Sequence, residues 1–160
     1  MKSVLMFTII FNFGFLYLMG SPELHDDHEK ESDHEIKVAG PNGGKIMEIL
    51  DPHFEFFITK EKKVQITFLN EHGETIQPSS QLFSLIAGSG SRRTKLKFEK
   101  LGKVLISNGV LPKGNRIPII LNIQASPGSK KILRNIQLSL RDCTSCSYKR
   151  YACICEGHDH

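Results

Sequence analysis

The 160-residue chain lacks tryptophan and has no cysteine before its last eighteen positions, where all four lie. With 13 glycines and 7 prolines it is neither collagen-like nor of low complexity. Its length allows one ordinary domain and excludes an enzyme with two large lobes. A formal net charge of +4 is too modest to indicate a partner.

Residues 1–20 have the pattern of a secretory signal peptide, in which Lys2 precedes an uncharged apolar run that ends near Gly20 and Ser21. The run is slightly shorter than the about 20 residues that a membrane span requires. We therefore expect a periplasmic or secreted protein, with no membrane span after signal cleavage. The alternative is a protein anchored by an uncleaved N-terminal helix, because Leu18 is large for a position just before a cleavage site.

Residues 21–35 form an acidic segment whose seven carboxylates and one lysine give a net charge of −6, whereas residues 36–160 carry +9. Leu24 is its one apolar residue, so we expect a flexible arm. Neutral imidazoles coordinate metal ions, and carboxylates raise the local cation concentration. The arm therefore contributes three weaker metal candidates, with a solubilising linker as the alternative: His25, His28 and His34.

After a GPNGG turn at residues 40–44, short apolar runs alternate with further turns. Val64, Ile66 and Phe68, for example, alternate with more polar neighbours at the period of a half-buried strand. Strands are predicted at residues 45–50, 53–59, 64–69, 81–87, 94–99, 103–107, 117–125 and 132–140.

About eight short strands without a convincing amphipathic helix predict an all-β fold. Residues 36–140 have the size of a single antiparallel immunoglobulin-like β-sandwich, and a small β-barrel is the alternative. Residues 141–160 then form a short tail rich in cysteine and histidine.

Motifs of catalysis are missing from the sequence, which has no G-x-S-x-G elbow, no phosphate-binding loop and no H-E-x-x-H. His53, at the start of a predicted strand, is a further weak metal candidate, with a surface position as the alternative. The export signal argues against a nucleic-acid partner. We therefore expect a protein that binds rather than catalyses.

The strongest chemical pattern is the tail sequence RDCTSCSYKRYACICEGHDH, which combines a C-x2-C pair, a C-x-C pair and two terminal histidines. Two close pairs of soft ligands can converge on one tetrahedral ion, as in small zinc knuckles, and thiolates also favour monovalent copper. A tight hairpin at residues 148–151 would bring the pairs together. The candidate ligands are Cys143, Cys146, Cys153, Cys155, His158 and His160.

Disulfide bonds are the competing interpretation of these cysteines, because exported proteins fold under oxidising conditions and four is an even number. A bridge within C-x-C would be strained, so bridges between the two pairs are favoured. The terminal histidines favour a metal site, since a disulfide has no need of them. Three disulfide connectivities are possible, and the sequence does not choose among them.

The leader, the acidic histidine-rich arm, the glycine turn and the strand sequence PHFEFFIT resemble small exported bacterial β-domain proteins and the amino-terminal modules of periplasmic adaptor proteins of heavy-metal efflux. The resemblance covers about residues 24–140 and implies a compact β domain. In those modules the turn commonly reads P-H-G-G, whereas this chain has Asn42 at the histidine position. The coiled hairpin and lipoyl parts of an adaptor are missing from this sequence.

These observations lead to two hypotheses. The first is an exported, non-catalytic metal-binding protein that captures zinc or copper in heavy-metal homeostasis or efflux, and that works with a periplasmic efflux or envelope protein. The second is an envelope interaction or structural β domain whose tail is held by disulfides.

Overall fold

The alternating apolar residues of the body form nine β-strands and two short 3₁₀ helices within residues 37–155, which a computed structural model describes. The predicted leader and acidic arm lie outside the described residues, as do His158 and His160. The strands are β1 (Lys45–Met47), β2 (Phe54–Ile58), β3 (Val64–Leu69), β4 (Thr75–Ile76), β5 (Leu82–Ala87), β6 (Thr94–Leu101), β7 (Val104–Ser107), β8 (Arg116–Gln124) and β9 (Ile132–Ser139). The 3₁₀ helices are Gly90–Arg92 and Arg150–Ala152.

The strands form one antiparallel path in the order β1-β2-β3-β7-β6-β5-β8-β9, with β4 paired to the end of β3. Strand β6 connects the two halves of this path. Its first four residues pair with β5 and its last four pair with β7, so the chain turns from one half to the other along a single strand. The sheet is thereby curled into a half-barrel.

The core lies inside the curl, where the two halves face each other. Phe54 and Phe68, from β2 and β3, contact the ring of Phe83 on β5 with centroid separations of 5.1 and 5.9 Å. The most apolar strand, β8, lies between β5 and β9, and its alternate residues are buried. Apolar burial on this scale is the main force that stabilises such a domain.

The predicted all-β antiparallel class is confirmed. The half-barrel combines features of the two architectures considered above, since its halves face each other as in a sandwich but remain joined through β6 as in a barrel. The predicted strands correspond to those observed within a few residues at their ends. The exception is β4, which has two residues and leaves too short a pattern to be recognised.

Candidate metal centre

The tail begins as an irregular hairpin. Asp142 forms an antiparallel bridge with Lys149, the N–H of Cys143 donates to the carbonyl of Tyr148 at 2.9 Å, and the N–H of Arg150 donates to the carbonyl of Arg141 at 2.8 Å. The chain therefore reverses within residues 144–147, earlier than the predicted turn at 148–151. The 3₁₀ helix Arg150–Ala152 then carries the chain back, so that the C-x-C pair returns to the C-x2-C pair.

This reversal brings the four cysteine sulfurs together. All four Sγ atoms lie within 4.8 Å of one another. Cys143 Sγ is 3.4 Å from Cys153 Sγ and 4.0 Å from Cys155 Sγ, and Cys146 Sγ is 3.8 Å from Cys153 Sγ. Among the described residues, the cysteines are the one group of three or more metal-ligating side chains that is gathered this closely.

These separations can be compared with those of known sulfur chemistry. Zn–S bonds of about 2.3 Å in a tetrahedron place the sulfur atoms about 3.8 Å apart. A disulfide requires a bond of about 2.05 Å, and the described cysteines form no disulfide. These three separations of 3.4–4.0 Å thus surround the tetrahedral value, and little movement is needed to reach it.

Backbone N–H groups point at two of the sulfurs. The N–H of Ser145 lies 3.4 Å from Cys143 Sγ, and the N–H of Cys155 lies 3.4 Å from Cys153 Sγ. Such donors favour the thiolate, which is the form that binds a metal ion, and they fix the direction of the sulfur lone pairs. The donor from Ser145 is the main reason that the pKa of Cys143 falls to about 5.

The pKa values of two of the other thiols, Cys153 and Cys155, are raised. Burial is the main cause that raises the pKa of Cys153. The pKa of Cys155 rises to about 12, chiefly through its hydrogen bond with Cys153. In the absence of a cation, a thiolate therefore forms easily at Cys143, whereas Cys153 and Cys155 resist ionisation. A bound cation removes this penalty because it offsets the charge that the other thiols would add.

The tail is fixed to the body of the domain by Tyr151. This side chain is 8% exposed, and its ring meets that of Phe56 edge to face at a centroid distance of 6.3 Å. Its hydroxyl oxygen accepts a hydrogen bond of 3.1 Å from the N–H of Ile58, and burial raises its pKa to about 12. The ring of Tyr148 also packs on Gly43 in the GPNGG turn. The cysteines are half-buried beside these contacts.

A buried carboxylate, Glu55, was not singled out from the sequence. It lies on the outer face of β2 yet is 0% exposed, because the turn at residues 40–44 folds over it. The backbone N–H groups of Asn42 and Gly44 donate to Oε1 at 2.9 and 2.7 Å, and Asn42 Nδ2 donates to Oε2 at 2.7 Å. Asn42 thus closes the turn over a carboxylate. In the sequence, Glu55 is visible only as a charged residue in an alternating strand. That pattern does not distinguish a buried glutamate from a solvent-exposed one.

The remaining predicted ligands are not joined to this cluster. His53 is exposed at the start of β2 and does not belong to the cysteine group. It does line a groove of about 870 Å³ that runs beside β1, and Cys153 lines the same groove. The predicted ligands His25, His28, His34, His158 and His160 lie outside the described residues.

Comparison with known proteins finds no related protein. No family model, no curated protein and no solved structure matches the chain. Within residues 37–155, no helix has the length and apolar character needed to cross a membrane. The functional argument therefore depends on the geometry of the cysteine cluster.

Proposed function

We propose that this protein is an exported, non-catalytic metal-binding protein whose tail holds one zinc or copper ion through four thiolates. The single observation that carries the proposal is the convergence of four Sγ atoms within 4.8 Å. Two closely spaced pairs, from either side of a hairpin and a 3₁₀ helix, reach the separations of a tetrahedral site. The N–H donors at Cys143 and Cys153 further support a thiolate cluster.

Between the two metals, the tetrahedral arrangement of four sulfurs favours zinc, while the softness of the thiolates also suits monovalent copper. Competition between the two ions, followed by mass measurement, would decide. In the physiological setting we propose, the ion is captured in the periplasm as part of heavy-metal homeostasis or efflux. The protein partner is then an envelope or efflux component, as the resemblance to adaptor modules implies.

The test is native mass spectrometry of the reduced protein under anaerobic conditions, with zinc supplied from a buffered chelator. We expect one tightly held ion per chain. Replacing Cys143 or Cys155 with serine removes a ligand, and since even the loss of an outer hydrogen bond costs about 10- to 100-fold in affinity, we expect a loss of at least about 100-fold. Ser147→Ala, which changes the same hairpin without touching a ligand, is the matched control. Unchanged stoichiometry and affinity in both serine variants would refute the tail site.

A second candidate function is an envelope interaction domain with a disulfide-held tail. The observation that favours it is the 3.4 Å approach of Cys143 Sγ to Cys153 Sγ, from which a bond can form after a small rotation. Intact mass distinguishes the two: two disulfides lower the mass by four hydrogens, and a metal site retains all four thiols and adds the mass of the ion. Protein isolated from its own compartment without added reductant is the sample to use.

A further inference from the structure

We propose that the tail occupies, in the same chain, a peptide-binding surface at the edge of β2, and that an ion in the cysteine cluster holds it there. This inference rests on the proposed metal site and adds to it a partner-binding surface that metal loss would open. The surface, called here the β2 edge site, consists of the Ile58 N–H, the Phe56 ring and the adjoining groove beside β1.

The edge of β2 is incompletely covered by its neighbour. Strand β1 pairs with β2 at three positions, Phe54, Glu55 and Phe56, and then ends. The N–H of Ile58 lies beyond this pairing. A strand edge with an uncovered N–H beside a groove offers a peptide both a hydrogen-bond donor and side-chain contacts.

Tyr151 of the tail fills this position. Its hydroxyl takes the hydrogen bond from Ile58 that a neighbouring strand would otherwise take, and its ring covers Phe56. Ala152 beside it is also buried, at 3% exposure. The tail therefore contacts the domain as a short peptide would, through one aromatic anchor, one small residue and one backbone N–H.

The ion would control this contact because of where the cysteines lie. Cys143 and Cys146 precede Tyr151, and Cys153 and Cys155 follow it, so an ion bound to all four closes a loop that contains the anchor. Backbone hydrogen bonds within the segment, such as those from Cys143 to Tyr148 and from Arg150 to Arg141, join tail residues to one another. Closing the loop lowers the conformational entropy of the undocked tail and so favours docking.

The partner that fits the vacated site has the chemistry of the tail itself. It is a short peptide segment that presents a tyrosine followed by a small residue and can adopt the tight turn seen at Arg150–Ala152. The groove that would receive its flanking residues is lined by apolar and charged side chains of the β1 region, with Met47 and Ile49 beside Lys45 and Glu48. Metal loss would thus convert the domain from a closed form to one that binds such a segment.

Hydrogen exchange at the Ile58 amide tests the closed form. In the full chain kept reduced, we expect this amide to be protected with zinc and to exchange faster, by on the order of 10-fold or more, after chelation. Tyr151→Phe keeps the ring but removes the acceptor, so it should lose the protection even with zinc bound. Tyr148→Phe is the matched control and should retain it. Equal protection of Ile58 with and without zinc would overturn the proposal.

A peptide added as a separate molecule tests the open form. The probe is a labelled peptide of residues 147–154 with serine in place of Cys153, and its control carries the change Tyr151→Ala. We expect binding to the chelated protein and to a variant with all four cysteines replaced by serine, with affinity at least about 10-fold weaker for the zinc-loaded protein. An equal affinity of the peptide for the zinc-loaded and chelated proteins would contradict the inference. So would a control peptide that binds as tightly as the probe. Failure of the metal proposal would be separately visible, as absence of a bound ion in the native mass spectrum.

Discussion

At the scale of single residues, the domain depends on a buried carboxylate as well as on its apolar core. Glu55 is satisfied by three N–H donors from the turn at residues 40–44. A buried carboxylate is costly unless it is fully hydrogen-bonded, so the turn and the glutamate require each other. Alternation with Phe54 and Phe56 places Glu55 on the outer face of its strand. Its burial under the turn at residues 40–44 could not be predicted, because Asn42 lies 13 positions away and no sequence pattern indicates that contact.

Replacing Glu55 should therefore show a graded loss of stability. Glu55→Ala leaves the N–H groups of Asn42 and Gly44 without acceptors and should lower the free energy of unfolding by about 3 kcal/mol or more. Glu55→Gln keeps one carbonyl oxygen and should cost about 1–2 kcal/mol. Urea unfolding measures both, with the exposed strand residue change Glu99→Ala as control. Equal, small effects at positions 55 and 99 would show that the turn does not depend on the carboxylate.

At the scale of elements, alternation predicted the strands well, because the order of inward and outward residues depends only on the sequence of each strand. The convergence of the cysteine pairs could also be expected from their spacing. The docking of the tail could not, since Ile58 and Tyr151 are 93 positions apart and meet only in the folded domain. Glycines of the GPNGG turn were recognised as a turn signal, but their second role, allowing close approach to β2, is visible only in three dimensions.

Gly44 provides the test of that close approach. A Cβ at this position would lie 2.5 Å from the carbonyl oxygen of Phe56 and 2.8 Å from Glu55 Cγ. Because the first of these neighbours is backbone, the strand itself would have to move, and we expect Gly44→Ala to lower the free energy of unfolding by about 1–3 kcal/mol. Gly102→Ala, where nothing lies within 4 Å but φ is +58°, shows for comparison the cost of a left-handed backbone position without a clash. Chemical denaturation measures both variants, and an unchanged free energy of unfolding in Gly44→Ala would contradict the packing argument.

At the scale of the whole molecule, the cysteine cluster and the apolar core are linked through Tyr151. The half-barrel leaves β1 and β9 as the end strands of its path, and the 3₁₀ helix Arg150–Ala152 contacts both. The tail thus lies against both ends of the curled sheet while its cysteines remain half-buried at the surface. An ion that orders the tail should for this reason stabilise the complete domain.

Thermal unfolding at defined free zinc concentrations measures that linkage. An ion that binds the folded state alone adds about 4.1 kcal/mol when its free concentration is 1,000 times its dissociation constant. For a domain of this size, that corresponds to a rise in Tm on the order of 10 °C. Replacing Cys143 and Cys155 together with serine should abolish the rise, whereas Ser147→Ala should retain it. A rise that survives the double serine change would place the stabilising ion elsewhere in the chain, and a normal binding stoichiometry without any rise would mean that the tail and the core fold independently.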